Sequence, residues 1–307
     1  MRARLARRAA AAVGALALVG TALIGTQLAV AAPAGAAPAG VAPAAVGGSV
    51  LTRGFSASDT RSVKSARADC PAGKEVVGGG GAPFLSSSDF GTVRLIELRP
   101  VHNNNGPDGY VATAMALGAV PTGNWSLEAD AVCADRVPGL YLAGGAGAVG
   151  SAPVQSAEAG CQAGEAVLGG GGLLRNPGFQ ADLRTVAPSA TGDRFVVQGG
   201  EDVDGYANNW SVVAYAICAP RPAGYEVISE TSPSNPTDER KTITGRCPIG
   251  KHLTGPGVAT DPTSPGGIGL ENLFPQPNLT ASQALAEITQ PPVVPWATMR
   301  TLAICVS

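Results

Sequence analysis

Aromatic and charged side chains are both scarce in this chain, and each shortage removes a class of function. Phe, Trp and Tyr make up 5% of the 307 residues, and Asp, Glu, Lys and Arg only 14%, with a formal net charge of −2. No basic stripe or patch is therefore available to neutralise a phosphate backbone, which excludes nucleic acid as the expected partner. Only two histidines occur, His102 and His252. Neither G-x-S-x-G nor H-E-x-x-H is present, so the commonest sequence signatures of a serine hydrolase and a zinc protease are missing. Past the N-terminus no apolar run approaches the length needed to span a bilayer, and no segment sustains a helical period.

Glycine and proline are abundant instead, with 42 and 25 copies. Short runs of Val, Ile, Leu and Tyr lie between clusters of Gly, Pro, Asn and Asp, the pattern of strands and turns in an all-β protein.

The N-terminus reads as a processing signal. Arg2, Arg4, Arg7 and Arg8 precede an apolar run that ends in Ala29-Val30-Ala31, the three-part pattern of a secretory leader. We assign residues 1–31 to a signal peptide and 32–48 to an Ala/Pro/Gly-rich linker. Removing the leader leaves 17 basic against 23 acidic residues, a net charge of −6. A secreted, extracellular protein with no membrane contact after cleavage is expected. All six cysteines fall in the exported part, where an even number reads as disulfides rather than metal ligands.

The exported part is a threefold repeat. "CPAGKEVVGGGG", "CQAGEAVLGGGG" and "CPIGKHLTGPGV" begin at Cys70, Cys161 and Cys247, and the glycine block opens at Gly78, Gly169 and Gly255. "NWSLEADAVCA", "NWSVVAYAICA" and "PWATMRTLAICV" place the only three tryptophans, Trp125, Trp210 and Trp296, shortly before Cys133, Cys218 and Cys305. The repeats span 49–134, 135–219 and 220–307, and each reads as four or five short strands. Strict alternation puts Trp125, Leu127, Ala129, Ala131 and Cys133 on one face of a strand, with Ser126, Glu128 and Asp130 on the other. A repeated unit that carries its own staple predicts the pairs Cys70–Cys133, Cys161–Cys218 and Cys247–Cys305, although six cysteines admit other connectivities.

The pattern carried by Cys70-Pro71-Ala72-Gly73-Lys74, Gly78 to Gly81, Trp125 and Cys133 resembles a repeat of secreted proteins from high-GC Gram-positive bacteria, mostly uncharacterised. Three copies of C-x-x-G (C-P-x-G in the first and third), a glycine turn and a strand ending in Cys are also similar to the vitelline membrane outer layer proteins. That likeness implies three sheets around a pseudo-threefold axis, a β-prism. The units here are longer and lack that family's acidic motifs, so the resemblance implies architecture and no activity.

Each candidate for chemistry has a structural competitor. Lys74 beside four glycines suggests a phosphate loop, but a P-loop places its lysine after the glycines and opens a helix. Here Pro83 follows, and Glu165 or Ala166 stands near the lysine's place in the second repeat. Backbone punctuation is the better reading. The tryptophans are either stacking platforms for sugar rings, one per repeat, or core aromatics beside the disulfides, which the alternation favours. A Ser-His-Asp site on His102 or His252 has no serine selected for it. Glu97, Glu128, Asp130, Glu271 and Glu287 are candidate acid/base carboxylates for a glycosidase. Asp202 and Asp204 have a calcium-like spacing in "EDVDG" without the rest of a binding loop.

The expectation is therefore a disulfide-stapled all-β protein of three antiparallel repeats, arranged as a pseudo-threefold prism, with no cofactor or metal assigned. A non-catalytic binding or envelope-associated module, for cell-wall or other extracellular glycan, leads the functional readings. An exported carboxylate-dependent hydrolase and a structural coat protein or protease inhibitor are the alternatives.

Overall fold

The computed structural model describes residues 45–86, 91–103, 106–116, 123–235, 237–260, 267–288 and 298–307. The leader, most of the linker and Trp296 lie outside the described residues. The described chain is all-β, without a helix, and so holds none long and apolar enough to cross a membrane.

Each repeat supplies six strands. The first contributes β1 (Val50–Phe55), β2 (Val63–Asp69), β3 (Lys74–Phe84), β4 (Val93–Val101), β5 (Gly109–Ala116) and β6 (Ser126–Asp135). The second contributes β7 (Tyr141–Ala146), β8 (Val154–Gly160), β9 (Glu165–Arg175), β10 (Ala181–Pro188), β11 (Arg194–Glu201) and β12 (Ser211–Pro220). The third contributes β13 (Glu226–Thr231), β14 (Arg240–Arg246), β15 (His252–Thr260), β16 (Ile268–Pro275), β17 (Ala281–Ile288) and β18 (Met299–Val306). The extra strand, beyond the four or five read from sequence, is the one before the first Cys of each repeat. In β2 its buried positions are Lys64, Ala66 and Ala68, too small or too polar to stand out as a hydrophobic run.

The strands form three six-stranded antiparallel sheets, ordered β1-β6-β3-β16-β17-β14, β2-β5-β4-β9-β12-β7 and β13-β18-β15-β10-β11-β8. Every sheet takes three strands from one repeat and three from another, so the repeats are interlocked rather than strung as beads. Within the first repeat the β1-β6-β3 half packs face to face with the β2-β5-β4 half. The space between them is filled by fully buried Leu95, Leu98, Tyr110 and Leu127.

The glycine blocks explain how three repeats meet. A Cβ on Gly78 would stand 2.0 Å from the Thr254 carbonyl oxygen, one on Gly169 2.3 Å from that of Val77, and one on Gly255 2.6 Å from that of Leu168. The contacts run from first repeat to third, second to first and third to second, a closed threefold cycle of backbone approaches that no side chain could enter. One residue bulges from the ladder just before each of these glycines, at Val77, Leu168 and Thr254, which turns the three inner strands toward one another.

Three disulfides, Cys70–Cys133, Cys161–Cys218 and Cys247–Cys305, each lie within one repeat. A second repeated tie is polar. Buried Lys64 donates to the Ala57 carbonyl (3.0 Å) and pairs with Asp59. Gln155 donates to the carbonyls of Gly150 (2.7 Å) and Trp210 (2.9 Å), and Lys241 to that of Asn235 (2.6 Å). All three sit at the second position of β2, β8 and β14, where a long donor satisfies the connection from the preceding strand.

Candidate functional site

The outer face of the first sheet carries a groove of about 640 Å³ that crosses from the first repeat to the third. Its position follows from the register. Arg53 and Phe55 on β1 face Asp130 and Glu128 on β6, and Glu128 in turn faces Ala82 on β3. Beyond β3 come Asn272 and Phe274 on β16, Gln283 and Leu285 on β17, and Arg240 and Thr242 on β14. Ala82 lines the middle of the groove, while the side-chain space of Gly80 is taken by the Leu273 carbonyl of β16.

Polar groups in the groove are held in place. Arg53 Nε stands 2.9 Å from Glu128 Oε1 and 3.2 Å from Asp130 Oδ1, while both carboxylates are buried. Burial, reinforced by the charge of Glu128 and a hydrogen bond with it, pushes the Asp130 carboxyl well above its usual range. On the far side Arg240 lies 3.5 Å from Glu271 Oε1 and 4.0 Å from Glu287 Oε2. Glu271 is also pushed up, first by burial and then by sharing a hydrogen bond with Glu287. Beneath it, Arg94 is fully buried and donates to the carbonyls of Val93 (3.0 Å) and Glu287 (3.3 Å). The Asp130 and Glu271 sites thus repeat one design, a carboxyl pushed up chiefly by burial, with a second carboxylate and an arginine from an edge strand beside it.

The groove's apolar surface is aromatic and exposed. Phe55 and Phe84 are 60% and 51% accessible, with ring centroids 6.2 Å apart. Ala146 and Thr231 hold the place of Phe55 in the other repeats, and Arg175 that of Phe84, as the strand registers align them. Val213 and Tyr215 likewise stand where the first repeat has Glu128 and Asp130. The groove is specific to one sheet and is no requirement of the repeat scaffold.

Trp125 and Trp210 do not serve as stacking platforms. Trp125 and Trp210 are 1% and 0% exposed. Their indole nitrogens donate to the Arg61 carbonyl and to Glu201 Oε1, each at 2.9 Å. The alternation that puts them on the cysteine side buries them between sheet halves. Trp296 lies outside the described residues.

The remaining candidates scatter. Glu97, on the second sheet, accepts from Arg99 (2.8 Å) and Thr113 (2.7 Å). His102 Nδ1 lies 2.8 Å from Asp108 Oδ2 beside a recess of about 590 Å³ next to the Cys70 turn. No Ser, Thr or Cys is among its described lining residues, so no nucleophile completes a triad there. Asp108 also accepts from the backbone N–H groups of Val76 (3.2 Å) and Asn103 (2.9 Å), a structural cap. Lys74 is tied to Asp135 (2.6 Å) and the Gly48 carbonyl (2.7 Å), which ends its reading as a phosphate ligand. His252 lies on β15 in another sheet, and burial lowers its pKa. Asp202 and Asp204 follow β11 in the third sheet. Among the described residues no group of three or more His, Cys, Asp or Glu side chains is arranged to hold a metal ion.

Sequence reading singled out Glu128, Asp130, Glu271 and Glu287 but missed Phe55, Phe84, Arg53 and Arg240. The available signal was a departure from the repeat, two phenylalanines present in one copy alone. No protein-family model matches the chain, and no curated protein is significantly similar to it.

Proposed function

We propose that this protein is exported and acts as a non-catalytic carbohydrate-binding module, with the groove on the first sheet as its binding face and cell-wall or other extracellular glycan as its ligand class. The exposed Phe55–Phe84 pair beside immobilised polar side chains carries this reading. A sugar ring presents an apolar C–H face and a rim of hydroxyls. Phe84 suits the first, and Asn272, Gln283, Thr242 and Arg53 suit the second. Three disulfides fit an oxidising compartment.

The carboxylate arrangement favours binding over hydrolysis. A glycosidase holds its two carboxyl groups about 5–10 Å apart, with the scissile bond between them. Glu128 and Asp130 instead converge on one arginine nitrogen and share a hydrogen bond.

The test is a glycan array and polysaccharide pull-down that includes purified bacterial cell-wall material. Binding that is lost in Phe84→Ala and in Asn272→Ala supports the proposal. Absence of binding to every carbohydrate, or binding unaffected by both substitutions, overturns it.

A further inference from the structure

The polar groups around the groove are layered by charge. Arg53 and Arg240 stand on β1 and β14, the two edges of the six-stranded sheet, and both line the groove. Their side chains are 40% and 37% exposed, against 9% for Glu128, 1% for Asp130, 2% for Glu271 and 16% for Glu287. A molecule entering the groove meets guanidinium groups first, with the carboxyls beneath them. Burial also pushes Asp130 and Glu271 up to about 7, so up to neutral pH neither arginine is outweighed by two full negative charges.

Arg53 keeps most of its donors. A guanidinium carries five N–H groups in a planar fork. Arg53 reaches both Glu128 and Asp130 through Nε, and among the described residues its two terminal nitrogens make no hydrogen bond. Their four N–H groups have the geometry that a carboxylate or a phosphate accepts two at a time. Sugar hydroxyls need no such fork, since Asn272, Gln283 and Thr242 supply single donors and acceptors in the same groove.

The repeat gives an independent argument. Gly144 and Ser229 hold the place of Arg53 in the other repeats, as the strand registers align them. Val63 and Val154 hold that of Arg240, as the first residues of β2 and β8. The scaffold is thus built elsewhere without either arginine, yet both occur on the one sheet that carries the groove and the exposed Phe55–Phe84 pair.

A cationic ligand would find Asp130 and Glu271 out of reach, and a neutral one would leave the open fork unmatched. We propose that the glycan bound in the groove is acidic, carrying carboxylate or phosphate groups, one of which seats on the terminal nitrogens of Arg53. This rests on the reading of the groove as a carbohydrate-binding face. With Arg240 at the opposite edge, an occupant reaching both arginines is a chain of sugars and not a single ring.

The purified protein is to be tested on an array of polygalacturonate, its methyl ester, dextran phosphate, dextran and neutral cell-wall glycans. We expect an acidic member to bind about tenfold or more tighter than its neutral counterpart, and to weaken severalfold between about 50 and about 300 mM NaCl. Preference within the first pair identifies a carboxylate, and within the second a phosphate. Arg53→Gln should remove the preference. Because that variant leaves two buried carboxyls without their cation, Arg53→Lys is measured beside it, keeping the charge but losing the fork, and should lower the preference severalfold in a folded protein. Neutral glycans bound as tightly as acidic ones, with binding still lost in Phe84→Ala, would overturn the acidic ligand and leave the binding face standing. A preference unchanged in both Arg53 variants also overturns the proposal, and no binding to any member overturns it together with the carbohydrate reading.

Discussion

Arg53 on β1 and Asp130 on β6 are cross-strand partners, and the guanidinium Nε sits 3.2 Å from Asp130 Oδ1. The arginine does not hold that carboxyl ionised, because burial and the adjacent Glu128 outweigh it. Asp130 and Glu271 rise to about 7 and Asp182 to about 6, each chiefly through burial. Between their ordinary values near 4 and these raised values, the folded state holds more protons than the unfolded chain. Stability therefore falls as pH rises through that window. Urea midpoints should be higher at pH 5 than at pH 7.5, and Asp130→Asn should flatten the difference. A midpoint that rises with pH would contradict the burial of these carboxyls.

Phe84 and Trp210 should separate binding from stability. Trp210→Phe removes the buried donor to Glu201 Oε1 and should cost about 1–3 kcal/mol while glycan binding persists. Phe84→Ala removes a ring that is 51% exposed, so binding should fall with Tm almost unchanged. Calorimetric unfolding paired with a pull-down checks both.

The axial glycines should tolerate nothing larger. Gly78→Ala places a Cβ 2.0 Å from a backbone oxygen of another repeat, and neither strand can yield alone. A loss of about 3 kcal/mol or more is expected. Gly160→Ala, where a Cβ meets nothing within 4 Å, should change stability by less than about 0.5 kcal/mol. Chemical denaturation of the two variants gives the comparison.

Removing one staple should be costly and local in its origin. Cys70 and Cys133 are 63 residues apart in sequence, and closing a loop of that size is worth about 4 kcal/mol in chain-entropy terms. The double substitution Cys70→Ala with Cys133→Ala should lower the denaturation midpoint accordingly, and reduction of all three bridges should lower it further.

Fold class was legible because Cys, Gly and Trp recur at one spacing, and only a repeated β unit needs that set. The expected pseudo-threefold arrangement is met by three sheets. The sharing of each sheet between repeats was not legible, since strand partnership depends on edges that sequence spacing does not encode. In β2, β8 and β14, alanine, glutamine and lysine take buried places, so hydrophobic alternation was too weak to reveal a strand. The site was half legible. Glu128 and Asp130 declared themselves as carboxylates, but their partner Arg53 lies 75 and 77 residues away, and only pairing of β1 with β6 brings it there. The tryptophans drew attention because they repeat. Repetition marks what the scaffold needs, and Phe55 and Phe84 stand out only when departures from the repeat are sought.

The first sheet joins the opening strands of the chain to its last third, β3 beside β16. A chain emerging N-terminus first can pair β4 with β9, but the groove-bearing sheet must wait for β14, β16 and β17. Completion of the groove would be among the last events of folding. A molecule truncated after its second repeat would keep two of its three disulfides but lose β14, β16 and β17, and with them the third-repeat half of the groove. Nor can the array grow as an open solenoid does, since a fourth copy would find the ring already closed.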